Sequence, residues 1–203
     1  MGVHLGVGRV PNIMSSGLPI PHFEHVDLAN VQSYFSEDRS HRAYLKIPFS
    51  GTRGTETLCV IGQNPSAADE CKADKTIHYL EKLIHLKHFK YRQIIILNLY
   101  SQIDTNKTKQ TSPLLPKCEA IFNRIIDEET NFLVVFGRLT NQGRYRFLDR
   151  ARKIEPLLQS KRVFKLDLNT SYAPHPGNSK ILYRNFNVDF SPYSFADINQ
   201  SRV

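Results

Sequence analysis

The sequence predicts an α/β fold: three layers, α/β/α, around a central four-stranded parallel sheet. Two patterns carry this prediction. Short apolar runs alternate with segments of helical periodicity through the middle of the chain, as β-α-β units do. The apolar runs are also uninterrupted by polar residues, as in strands covered on both faces. Hydrophobic residues make up 40% of the 203, enough for a sizeable core, so a wholly disordered chain is excluded.

The elements follow in order. Residues 1–24 are rich in Gly and Pro without periodicity and read as an N-terminal arm or loop; 25–203 form a single domain. Asp27 is placed to cap a short helix through Leu28, Val31 and Tyr34. Residues 42–48 (RAYLKIP) alternate as a short edge strand closed by proline. Residues 57–61 (TLCVI) form the first core strand, broken at Gly62. Residues 76–89 set Ile77, Leu80, Leu83, Ile84 and His88 on one helical face. Residues 93–97 form the second core strand, 117–127 a helix on Ala120, Ile121, Ile125 and Ile126, and 132–136 (FLVVF) the third. Residues 139–158 read as a basic helix interrupted near Gly143 and stopped around Pro156; 163–168 alternate as the fourth strand. The tail after Asn185 shows no pattern.

Charge and cysteine usage narrow the function classes. Lys and Arg outnumber Asp and Glu by 27 to 19, a formal charge of +8, which favours an anionic partner such as nucleic acid. Cys59, Cys71 and Cys118 form no CxxC or Cys/His run, so neither a metal site nor a cofactor is expected. The longest apolar run, residues 94–97, is far too short to span a bilayer, and the first ten residues lack a signal-peptide pattern. The expectation is a cytoplasmic monomer with no membrane partner.

In an open parallel sheet the ligand lies beyond the carboxyl ends of the strands. The four exits read Gly62-Gln63-Asn64-Pro65-Ser66, Asn98-Leu99-Tyr100-Ser101, Gly137-Arg138-Leu139-Thr140, and Asn169 through Pro176. None is a Walker loop or a GxGxxG turn, which argues against a nucleoside-triphosphate or dinucleotide site. Asn-Pro and His-Pro are ordinary turn dipeptides when met singly. In order, however, GQNPS (62–66), IIILN (94–98), VVFG (134–137) and HPGNS (175–179) resemble the motif series of the uracil-DNA glycosylase superfamily. Residues 64–76 (NPSAADECKADKT) are also similar to an uncharacterised bacterial and phage family with an NPSxAD…DxT signature. The resemblance covers about residues 42–185.

That resemblance implies a uracil-DNA glycosylase-like fold and a DNA glycosylase, a hydrolase that flips out a damaged or modified pyrimidine and leaves an abasic site. Such chemistry needs a read-out of the base edge, a water behind C1′ and donors for the charge growing on the departing base. By resemblance, His175 donates to the base carbonyl as neutral imidazole, Asn98 reads the base edge, and Gln63 contacts base or sugar. Asn64 stands where the most active members carry Asp; an amide orients water but takes no proton, so Asp69 or Asp74 is expected to supply a carboxylate, Asp69 being preferred because Asp74 is placed to cap the following helix. Ser66 replaces a Tyr that rejects 5-methyl groups, implying tolerance of C5-substituted bases, including hypermodified phage bases. Tyr100 is a candidate for stacking on the base. Arg138, Lys180, Arg184, Lys90 and Arg92 are candidate DNA-binding cations, residues 138–165 carry nine Lys or Arg, and Ile181 or Leu182 is a candidate wedge for the vacated stack. The role is DNA repair or antiviral defence. Two alternatives are an N-glycosidase of free nucleosides or nucleotides and a nucleic-acid-binding module without activity.

Overall fold

In the computed structural model, which describes residues 20–104 and 112–196, the apolar runs become the parallel centre of a larger sheet. The strands are β1 (Gln32–Phe35), β2 (Arg42–Pro48), β3 (Glu56–Gly62), β4 (Tyr91–Asn98) and β5 (Asn131–Val134), then β6 (Asn141–Gln142), β7 (Tyr145–Arg146), β8 (Arg162–Leu166) and β9 (Phe190–Pro192). Seven of them form one mixed sheet in the order β1-β2-β4-β3-β5-β8-β9. β3 pairs in parallel with β4 and β5, and β5 with β8, so the four expected parallel strands are present at its centre. The four-stranded expectation is nevertheless too small. β2 and β1 extend one side and β9 the other, all antiparallel. The segment expected to be an edge strand, β2, is therefore internal, and the expected helix after Asp27 is one 3-10 turn (Leu28–Asn30) leading into β1.

Strand alternation divides the core. Leu58 and Val60 of β3 face the side covered by helix α1 (Lys75–Lys87), where Ile77, Leu80, Leu83 and Ile84 pack. Cys59 and Ile61, one residue out of phase, face α2 (Pro116–Glu128) and α3 (Phe147–Leu158) through Phe122, Ile126, Ala151 and Ile154. Each large aliphatic side chain buried this way stabilises the fold by about 1.5–3 kcal/mol before entropy. α3 begins later than its periodicity suggests because residues 141–146 form the β6–β7 ribbon, turning at Gly143 with φ +53°. Asn141 Oδ1 accepts the N–H groups of Leu148 and Asp149 and so serves the helix start. α3 also runs past Pro156, which lies in its last turn, to Leu158.

The first 19 residues of the expected arm lie outside the described residues. Residues 20–24 are tied down: Ile20 exchanges two backbone hydrogen bonds with Ala73. His22 and Glu81 are both wholly buried side chains at 2.5 Å, and Glu81 also accepts the Phe23 N–H at 2.8 Å. Burial alone would lower the His22 pKa, but the Glu81 hydrogen bond and charge, with the Asp69 carbonyl, leave it raised.

Candidate functional site

β3, β4 and β5 run parallel and release the chain at the same end of the sheet, with Gly62 of β3 level with Asn98 of β4. The diverging loops leave a cavity of about 440 Å³ on the α1 side. Val60, Ile96 and Val135 from the sheet and Ile77 and Leu80 from α1 form its apolar wall. Gln63, Asn64, Ser66, Asp74, Thr76, Asn98, His175 and Arg42 supply its polar groups. Asn64, Asn98 and His175, far apart in sequence, thus share one cleft.

Each side chain has a definite setting. Asn64 Nδ2 donates to the Asp104 carbonyl at 2.8 Å, which uses one of its two N–H groups, fixes the amide's orientation and leaves Oδ1 as its acceptor for a ligand. The Asn98 side chain has no hydrogen-bond partner among the described residues, so its whole donor–acceptor edge is available. Its room depends on a glycine: a Cβ on Gly62 would stand 3.0 Å from Asn98 Nδ2. Gln63 Nε2 donates to the Phe136 carbonyl at 2.7 Å, tying the first exit loop to the third. Ser66 lines the cleft while its Oγ accepts the Ala68 N–H at 3.3 Å.

His175 is held in one tautomer. The Gly177 N–H donates to Nδ1 at 3.0 Å, so the neutral ring carries its proton on Nε2, 3.5 Å from Thr76 Oγ1. Burial holds the His175 pKa below the usual 6.5, against the opposing pull of Asp74. Gly177 leaves room here: a Cβ would stand 3.0 Å from Tyr183 Oη and 3.1 Å from His175 Nδ1, so both side chains would have to give way. Gly137, at φ +67°, donates to the Ala173 carbonyl at 2.8 Å and fastens the His175 loop to the β5 exit.

Three expectations are corrected. Asp69 does not line the cleft: its Oδ1 accepts the Cys71 and Lys72 N–H groups at 3.0 and 3.2 Å in a turn, and its Oδ2 faces Arg39 at 3.5 Å. The lining carboxylate among the described residues is Asp74, which also caps α1 by accepting the Ile77 N–H at 2.8 Å. Tyr100 is turned into the opposite core, edge-on to Tyr145 and Phe147, with its hydroxyl accepting the Arg146 N–H at 3.0 Å. Lys90 just precedes β4 and Arg92 is its second residue, roughly 20 Å along the strand from Asn98, so they belong to the other end of the sheet. Arg138, Lys180 and Arg184 are exposed on the loops that carry Gly137 and His175. The basic run is partly structural: Arg150 pairs with Glu119 at 2.5 Å and Arg144 with Asp104 at 2.9 Å.

Arg42 was not foreseen as a site residue. It lines the cleft although it is only 2% exposed. Its sole sequence signal is a charge opening an alternating strand. Among the described residues no group of three or more His, Cys, Asp or Glu is placed to hold a metal ion, and no helix is long and apolar enough to cross a membrane.

A family model described as protein of unknown function (DUF1643) matches residues 42–176. The chain belongs to the DUF1643 family. No curated protein and no solved structure matches it. In this DUF1643 protein the matched stretch opens on Arg42 and closes just after His175, the first and last residues lining the cleft. The family's extent and the extent of the cavity therefore coincide.

Proposed function

We propose that this DUF1643 protein is a DNA glycosylase of the uracil-DNA glycosylase-like fold that removes a damaged or modified pyrimidine. The observation that carries the reading is the meeting of Asn64, Asn98 and His175 around one cavity of about 440 Å³, a volume suited to an extruded base. Asn98 supplies a donor and an acceptor to the base edge. Ser66 leaves space beside C5, so C5-substituted bases enter. Asn64 Oδ1 orients a water, and Asp74 on the same wall accepts its proton. The water oxygen bonds to C1′ as the C1′–N bond breaks, and that electron pair leaves with the base. His175 donates from Nε2 to the base carbonyl as negative charge develops there; solvent protonates the base afterwards.

The surroundings support the same reading. Arg138, Lys180 and Arg184 on the rim suit phosphate contacts. Of the two wedge candidates Ile181 is buried, whereas Leu182 is 54% exposed at φ +44°, followed by Tyr183 at φ +58°. Consecutive left-handed residues that are not glycine store strain of the kind kept at functional sites, and the exposure of Leu182 there makes it the wedge candidate of the two. The biological setting is repair, or defence against phage DNA carrying modified bases.

The test is a panel of oligonucleotides, each with one modified pyrimidine, incubated with the protein and then treated with alkali. The reading predicts strand breaks at the modified position, stronger for C5-substituted bases than for plain uracil. Release of base from mononucleotides alone, or DNA binding with no alkali-labile product, overturns it.

A further inference from the structure

Arg42 has no part in the reaction above, yet it is a buried charge on the cleft wall with no ion pair among the described residues. Its Nη1 donates to the Ala68 carbonyl at 2.7 Å, and its Nε is buried without a partner among the described residues. Asp74, Asp69 and Glu70 attract it through space, but none forms an ion pair or hydrogen bond with it. Burial pulls the guanidinium to about 10 against those carboxylates, so it stays protonated at neutral pH. A planar fork with five donors, of which one is used, is costly to bury unless something else completes it. The Nε is itself sealed from the cavity, so it is the Nη end of the fork, on the cleft wall beside the start of α1, that a bound molecule meets.

We infer that Arg42 is a ligand-binding residue and that the cleft takes a planar heterocycle whose oxygen bears negative charge when bound, with the Arg42 guanidinium donating to that oxygen. The apolar wall from Val60, Ile96 and Leu80 suits the ring and the guanidinium suits the charge. Two sources have this chemistry: a base made anionic as it departs, or a heterocyclic acid that enters as such. The first rests on the glycosylase reading, the second does not. Asp74 lines the same cavity, so its carboxylate opposes the bound anion while Arg42 favours it.

Calorimetric titration of the full chain with orotate (a pyrimidine carboxylate), uracil (its neutral counterpart) and inorganic phosphate tests the inference. Orotate is expected to bind roughly 10- to 100-fold more tightly than uracil, the range for a hydrogen bond to a charged group. Arg42→Gln removes that preference, and Asp74→Asn increases it, a pair of opposite changes that loss of structure would not produce. Should Arg42→Gln fail to fold through loss of the Ala68 contact, the comparison of orotate with uracil on the unaltered chain still decides. Uracil binding as tightly as orotate, phosphate alone binding as tightly as orotate, or an unchanged preference in folded Arg42→Gln each overturns the inference. Orotate binding without abasic product from oligonucleotides sinks the glycosylase reading and keeps this one; abasic product without orotate preference does the reverse.

Discussion

Replacing Asp74 by Asn separates the two things this side chain does. As the cap of α1 it accepts the Ile77 N–H at 2.8 Å, and an Asn carbonyl oxygen takes that bond equally well. What the substitution removes from stability is the negative charge at the start of a 13-residue helix, about 0.3–1 kcal/mol. In a domain of this size that is a fall in Tm of roughly 1–4 °C. What it removes from chemistry is the carboxylate on the cleft wall, and with it the proposed general base, typically worth about 10²–10⁴ in rate. Asp74→Ala would lose the cap as well, adding about 1 kcal/mol of destabilisation at similar residual activity. Single-turnover formation of abasic sites with protein in excess, run beside thermal unfolding, measures both effects. Asp74→Asn turning over at the unaltered rate would refute the assignment of the carboxylate.

Further outcomes concern His175 in the cleft and the buried His22–Glu81 pair between the arm and α1. With His175 proposed to act as neutral imidazole, and its pKa lowered by burial, the single-turnover rate should be level at high pH and fall as pH drops through a value below 6.5. Asp74→Asn moves that acid limb lower still, and His175→Ala costs roughly 10²–10³ in rate; a rate that rises on acidification contradicts the tautomer assignment. Glu81→Ala leaves buried His22 without its partner, at about 3–5 kcal/mol, or a Tm lower by roughly 6–20 °C. Since the His22 pKa is raised, the pair's stabilisation is complete below pH 6.5 and fades as pH rises through the folded-state value. Urea unfolding across that range should show the slope in the unaltered chain and not in Glu81→Ala.

The parallel centre of the sheet was legible because its strands are apolar runs closed by Gly62, Asn98 or Gly137, and those closures are the cleft itself. The added strands were not: β1 (QSYF) and β9 (FSP) are short and polar, held by pairing with β2 and β8 rather than by any pattern of their own. The β6–β7 ribbon was hidden inside helix-like composition and revealed only by its turn at Gly143. Among site residues, strand exits pointed to Gln63, Asn64, Ser66, Asn98 and His175, all of which line the cavity. Asp69 and Tyr100 misled because proximity in sequence to an exit does not decide which way a side chain turns. Arg42 was left unassigned because its side-chain partner, the Ala68 carbonyl, lies 26 residues away, and no local pattern records that.

The most direct measurement is mass spectrometry of the untreated reaction on a duplex with one C5-substituted pyrimidine. Free base and an intact-length strand carrying an abasic sugar are predicted in equal amounts, both formed roughly 10²–10³-fold more slowly with His175→Ala. Unchanged strand mass, or strands shortened before any alkali is added, would contradict the proposal.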